Sequence, residues 1–379
     1  MRRPSRSPRP RGWPGFLRPL VAVASLASRR LSGRLSDGLR SRPWLAPAVP
    51  IAVLAVLVLL SSLLWWVWPA RHEGRELGEG ADPAWGAPAL LTGVPSGFFT
   101  GSDETGVQRI AAVEAWLGGP PLSVGHTYLP GDQWSNIEGH PELFEPWARW
   151  KKARPGRLFV LNVPLLDRSE EHLPDEEVRD GLRRGAAGEF DEHFRVLGER
   201  LVEHRLADAV LVLGWEMNGT TYAHRCAPDP ENWKRYWRRV VATLREVPGQ
   251  HFRFDFTPSR GRDAIDWPRC YPGDDVVDIV GMDAYDQPAG LSFAEQVTEP
   301  YGLEFHARFA AAHHKPVSFP EWGLFRNGDD PAYVRGMLDW FVRHRPAYQT
   351  LTDYCPHGVW GCADNPVSGT LVRAALGRR

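Results

Sequence analysis

Two glutamates stand in segments that read as the carboxyl ends of β-strands. AVLVLGWEMNGTTY places Glu216 just past a short apolar run, with Asn218 and Tyr222 after it, and KPVSFPEWG places Glu321 in the corresponding position of a later run. Paired carboxyls of this kind suit glycoside hydrolysis. One, kept protonated by its surroundings, gives its proton to the leaving oxygen; the other attacks the anomeric carbon, with about 5 to 5.5 Å between them in a retaining enzyme. A single strand-end glutamate is more often solvated or a helix cap, so the argument rests on finding two. This chemistry needs no cofactor. No metal is expected either, since neither CxxC nor HExxH occurs.

For these carboxyls to meet, the chain has to close on itself. After residue 92, β-like runs alternate with helical patterns. The runs are 97–100, 122–128, 158–166, 209–213, 252–257, 276–282, 316–319 and 358–360. Between them, Phe190, Phe194, Leu197 and Leu201 fall on one helical face, as do Trp233, Trp237, Val240, Val241 and Leu244. Eight strands alternating with helices predict an α/β fold, a (β/α)8 TIM barrel, with its active site at the carboxyl ends of the strands. Strands four and seven then face each other across the mouth. The competing open, doubly wound sheet lacks support from any GxGxxG or GxxxxGK[ST] phosphate loop.

Four segments, GFFTGSD (97–103), LGWEMNGTTY (213–222), YPGDDVVDIVGMDAYD (271–286) and KPVSFPEWG, resemble glycoside hydrolase family 26. That family holds β-mannanases with some β-1,3-xylanases and mixed-linkage glucanases. The resemblance spans about residues 95–365. It implies a retaining barrel in which Glu216 is the general acid/base and Glu321 the nucleophile. It also implies Tyr285 as a hydroxyl donor to the nucleophile and Trp360, ending strand eight, as the platform under the sugar. In one respect the chain departs from the pattern: mannanases of the family generally have His before the acid/base, and here Trp215 stands there. Mannan is therefore not implied as the substrate.

Further candidates for the cleft come from strand ends and the loops after them. His126 ends strand two and is read either as a substrate ligand or as structural. Asn218 begins a formal glycosylation sequon, but within this motif it reads better as a contact to substrate or to Glu216. Of the 17 tryptophans, five lie in the first 70 residues, and Trp233 and Trp237 read as core. Trp134, Trp215, Trp322 and Trp360 remain as candidate sugar-stacking surfaces.

The formal charge of −1 conceals a division: residues 1–45 carry +10 and the remainder −11. The acidic remainder argues against nucleic acid as a partner, because phosphate recognition needs clustered positive charge. The basic part reads as a disordered cytoplasmic arm. Residues 46–70 are free of charge and include IAVLAVLVLLSSLLWWVW (51–68), long enough to span a bilayer as one transmembrane helix, with Trp65, Trp66 and Trp68 at the interface. Arginines on the amino side point the rest of the chain outward. An uncleaved anchor fits better than a cleaved signal peptide, since the run ends WVWPAR without a small-x-small site. Residues 71–92 read as a linker and 93–379 as the hydrolase-like domain; no protein partner is indicated.

All four cysteines lie in the outward part, where two disulfides can form in three ways. Cys226 with Cys270 and Cys355 with Cys362 is the favoured pairing. The function expected is a membrane-anchored retaining endo-β-glycanase acting on a polysaccharide. The alternative is a catalytically silent barrel that binds or organises a surface polysaccharide.

Overall fold

Val210 and Val212 pack to one side of their strand and Leu211 and Leu213 to the other, and all four are buried. A strand covered on both faces belongs in a parallel sheet with helices outside it. The computed structural model, which describes residues 90–377, contains that sheet closed on itself. Its strands are β1 (Ser96–Phe99), β2 (Val124–Tyr128), β3 (Leu158–Val163), β4 (Val210–Leu213), β5 (Arg253–Phe256), β6 (Ile279–Gly281), β7 (Ala284–Tyr285), β8 (Val317–Gly323) and β9 (Gln349–Thr352). All pairings are parallel, in the order β6-β5-β4-β3-β2-β1-β9-β8, and β8 pairs back onto β6 to close the ring. Because β7 continues β6 along β8, the nine segments make eight barrel strands.

Ten helices surround the sheet among the described residues: α1 (Glu104–Leu117), α2 (Trp134–Ile137), α3 (Pro141–Lys152), α4 (Asp175–Ala187), α5 (Asp191–Glu203), α6 (Pro230–Arg245), α7 (Phe293–Thr298), α8 (Leu303–Ala312), α9 (Pro331–His344) and α10 (Pro366–Leu376). In α6 the Asp229 side chain caps the first turn and Pro230 starts the helix. Its Trp233 and Trp237 are buried as the spacing predicts, and their indole N–H groups reach the carbonyls of His224 and Leu213.

Inside the barrel the apolar filling is Val124, Val160, Val210, Val212, Trp215, Ile279 and Tyr348. Beside it lies a polar knot. Asp255 accepts from Ser318 at 2.6 Å, Tyr348 at 2.7 Å and Thr257 at 3.0 Å. Gly281 leaves the room for it, since a Cβ there would lie 2.5 Å from Asp255 Oδ1.

One irregularity decides the site. Four residues of β6–β7 (Gly281 to Ala284) run beside five of β8 (Ser318 to Trp322), and the β9 register shifts in the same place. The extra residue falls between Phe319 and Trp322, a β-bulge that resets the alternation of side chains. Ser318 points into the barrel and Phe319 out onto α9; after the bulge Glu321 points in and Trp322 again packs on Phe341 of α9.

The sequence reading misplaces the last strand. Residues 358–360 form a loop whose N–H groups at Val359, Trp360 and Gly361 donate to the Asp353 carboxylate at 2.8 to 2.9 Å. The strand is β9, with the sequence QTLT. It carries polar residues because its neighbours need them: Gln349 accepts from Trp322 Nε1 at 2.5 Å, and Thr352 meets the Tyr285 hydroxyl at 2.8 Å.

Cys226 is joined to Cys270 and Cys355 to Cys362, the favoured pairing. The first ties the loop after β4 to the 3-10 turn Trp267–Cys270, and the second closes the loop after β9. The basic arm (1–45), the transmembrane segment (46–70) and most of the linker (71–92) lie outside the described residues. No helix among the described residues is long and apolar enough to cross a membrane.

Candidate active site

The chain leaves β4 through Gly214 and Trp215 and takes a left-handed turn at Glu216, where φ is +51°. Such a backbone costs a residue with a Cβ about 1 to 3 kcal/mol, and it occurs where neighbours hold it in place. Here the Glu216 N–H donates to the Thr257 carbonyl at 2.8 Å, hooking the turn to the end of β5. Beyond β5, Ser259 donates its hydroxyl to Glu216 Oε1 at 2.7 Å. Asn218 brackets Ser259, accepting from its N–H at 2.9 Å and donating to its carbonyl at 3.0 Å.

Glu321 has more donors. Tyr285 donates to its Oε2 at 2.5 Å, Asn162 Nδ2 to its Oε1 at 3.3 Å, and the Tyr128 hydroxyl to the same carboxylate. His126 stands behind, its Nε2 2.9 Å from Asn162 Oδ1. Burial pushes the imidazole down to about 4, so near neutral pH it is uncharged and gives Asn162 its proton, leaving the Asn162 amide free to donate to Glu321.

These surroundings push the two carboxyls apart. Burial first, and the charge of Glu321 second, push Glu216 up to about 7 against the pull of Ser259. Burial also raises Glu321, but the three donors Tyr285, Tyr128 and Asn162 all favour its ionised form. The arrangement therefore keeps Glu216 protonated and lets Glu321 ionise first. Asp283 is a third buried carboxyl beside them; burial, then Glu321 and Glu216, push it well above the carboxylate range.

Glu216 and Glu321 line one pocket of about 360 Å³, together with Tyr222, Ser259, Asp263, Tyr285, Phe325, Arg326, Tyr354 and His357 among others. A second hollow of about 520 Å³ lies on the outer helices α4 and α6. It is lined by arginines such as Arg238, paired with Asp275, and Arg239, paired with Asp191, and it holds no carboxyl pair of this kind.

The predicted residues separate on this geometry. Glu216, Glu321 and Tyr285 come together. His126 and Asn218 are fully buried and act on the site through Asn162 and Ser259. Trp215 is buried against Tyr128, Tyr222 and His224 beneath the pocket. Three tryptophans are corrected. The bulge turns Trp322 outward to Phe341; Trp134 stacks on Phe190 and His193 of the helical layer; and Trp360, partly buried against the core, belongs to the loop after β9 and is not among the pocket's lining. Besides Tyr285 of β7, the aromatic groups that line it, Tyr222, Phe325, Tyr354 and His357, sit in loops past the strand ends. Tyr128 was within reach of sequence reasoning, because it lies two residues after His126 on the same face of β2.

Residues 208–312, which contain Glu216, Asp283 and Tyr285, match the model of glycosyl hydrolase family 26. By this segment the chain is similar to that family of glycoside hydrolases. Solved structures show the same barrel at low identity. A mannanase from Bacillus subtilis is 15% identical with a TM-score of 0.52, covering 73% of this chain and 84% of its own. A family 26 β-mannanase from Bacteroides ovatus is 19% identical with a TM-score of 0.52, covering 69% and 81%. An endo-β-1,4-mannanase double mutant from Cellulomonas fimi is 20% identical with a TM-score of 0.52, covering 69% and 65%. No curated protein matches the chain. Glu321, Phe325, Tyr354 and His357 lie beyond the span of the family match.

Proposed function

We propose that the protein is a retaining endo-β-glycanase that cuts a β-linked polysaccharide by double displacement. The observation that carries this reading is the unequal treatment of two carboxyls in one pocket, Glu216 held protonated and Glu321 held by three donors. In the first step the Glu321 carboxylate attacks the anomeric carbon, the glycosidic bond breaks, and the Glu216 proton passes to the leaving oxygen. In the second, Glu216, now a carboxylate, takes a proton from water; the water oxygen attacks the same carbon and releases Glu321. Tyr285 and Asn162 steady the nucleophile's charge before the first step and again as the second releases it.

The setting we infer is the outer face of a membrane. The uncharged segment 46–70, the arginines before it and the acidic domain after it support an anchor with an inside amino terminus. The two disulfides fit an oxidising compartment. A silent barrel that only binds glycan has no use for a protonated and an ionisable carboxyl in the same pocket. The test is incubation of the full-length protein with β-mannans, xylans, mixed-linkage glucans and native exopolysaccharide, followed by product sizing. Oligosaccharides released by wild type and absent with Glu321→Ala support the reading. Equal release by the variant, or intact polymer in every case, sinks it.

A further inference from the structure

Arg326 is the feature of the pocket that hydrolysis alone does not use. It is exposed, and its guanidinium lies 3.9 Å over the ring of Phe325. Its N–H donates to the Asp286 carbonyl at 2.8 Å, which fixes the start of the loop after β8. Among the described residues, no carboxylate lies within 4.0 Å of its guanidinium. Elsewhere a cation is treated differently: the Arg260 side chain is buried and paired with Glu299. Arg326 is thus a planar cation held against an aromatic ring, facing a pocket whose other titratable lining groups include the carboxyls Glu216, Asp263 and Glu321.

A neutral sugar gives such a group little to do. The guanidinium covers one face of Phe325 and closes it to a pyranose ring, while its fork of N–H donors matches the two oxygens of a carboxylate. Residues 46–379 carry a net charge of −11, so a polyanion approaching the domain is repelled unless a cation meets it at the site. We infer that Arg326 receives a carboxylate of the substrate, and that the glycan cut is an acidic one bearing uronate or similarly carboxylated sugars. This rests on the glycan-cleaving reading of the pocket.

The test uses full-length Glu321→Gln protein, so that binding is read without turnover, and two matched pairs of oligomers. These are β-1,4-mannuronate hexasaccharide against mannohexaose, and β-1,4-glucuronate hexasaccharide against cellohexaose; each pair differs only at C6. The expected result in at least one pair is an acidic oligomer bound about fivefold or more tightly than its neutral partner. That ratio should shrink with added salt, fall to about one with a second substitution Arg326→Ala, and invert with Arg326→Glu, while Arg326→Lys retains part of it. Equal or weaker binding of both acidic oligomers, no binding of any oligomer, or a ratio untouched by Arg326→Glu overturns the inference. Wild-type turnover of neutral glycans that Arg326→Glu leaves equal to turnover of acidic ones would overturn it too, with the hydrolase reading intact. Arg326-dependent binding of acidic oligomers without any turnover would instead remove the hydrolase reading and leave acid recognition standing.

Discussion

The hydroxyl of Tyr285 donates to Glu321 Oε2 at 2.5 Å and meets Thr352 Oγ1 at 2.8 Å. The carboxyl presented by β8 is thereby tied to both strands that flank it, β7 and β9. Tyr285→Phe removes the hydroxyl and leaves the ring. A hydrogen bond to a charged group is worth about 1.5 to 3 kcal/mol, so kcat should fall roughly tenfold to a hundredfold. The bond favours ionised Glu321, so without it the Glu321 pKa rises. The acid limb of the pH profile of kcat/KM should move to higher pH; an unmoved limb would show that Tyr285 does not act through Glu321.

Glu216 governs the other limb. As the acid it has to be protonated, and with its pKa at about 7, kcat/KM should fall as pH rises through that value. Ser259 donates to the ionised form and so pulls this pKa down. Ser259→Ala should shift the basic limb upward. A downward shift in the same pH titration would contradict the assignment.

Trp322 and Tyr354 should fail in different ways. Trp322 is fully buried against α9, so Trp322→Ala should cost about 3 to 5 kcal/mol of stability in a denaturant titration. Tyr354 is 49% exposed and lines the pocket. Tyr354→Ala should leave stability nearly unchanged and raise KM by roughly twofold to tenfold through lost stacking. The reverse pattern would place the sugar-binding surface where the sequence first suggested it.

These two residues also show what the sequence could and could not reveal. Seven of the eight barrel strands announce themselves, because runs such as AVLVL and LFVLNV are buried on both faces. The eighth, QTLT, is hidden by its own task of supplying polar groups to Trp322 and Tyr285 inside the wall. With that strand misplaced, Trp360 became a strand end and Tyr354 went unnoticed. Glu216 and Glu321 were legible as strand-end carboxyls, whereas the bulge that aims Glu321 inward and Trp322 outward is a matter of register between β8 and its neighbours. Ser259 and Asn162 act through contacts 43 and 159 residues away in sequence, which no local pattern records.

The disulfides give a prediction about the loops around the pocket. In the chain-entropy account a cross-link stabilises in proportion to the logarithm of its loop. Cys226–Cys270 spans 44 residues and Cys355–Cys362 spans 7. Replacing both cysteines by serine should cost about 4 kcal/mol for the first pair and about 2 kcal/mol for the second. Thermal unfolding of the two double variants checks the order; a larger loss from the short loop would contradict it.

The central claim is that Glu321 attacks the sugar while Glu216 protonates the departing one. Incubating the full-length protein with a panel of 2-deoxy-2-fluoro β-glycosyl fluorides slows the second step more than the first, so a covalent glycosyl-enzyme accumulates. Intact mass followed by peptide mapping should find the sugar on the peptide containing Glu321, with labelling lost in Glu321→Gln. Sugar attached to Glu216 or to any residue other than Glu321 would contradict the account.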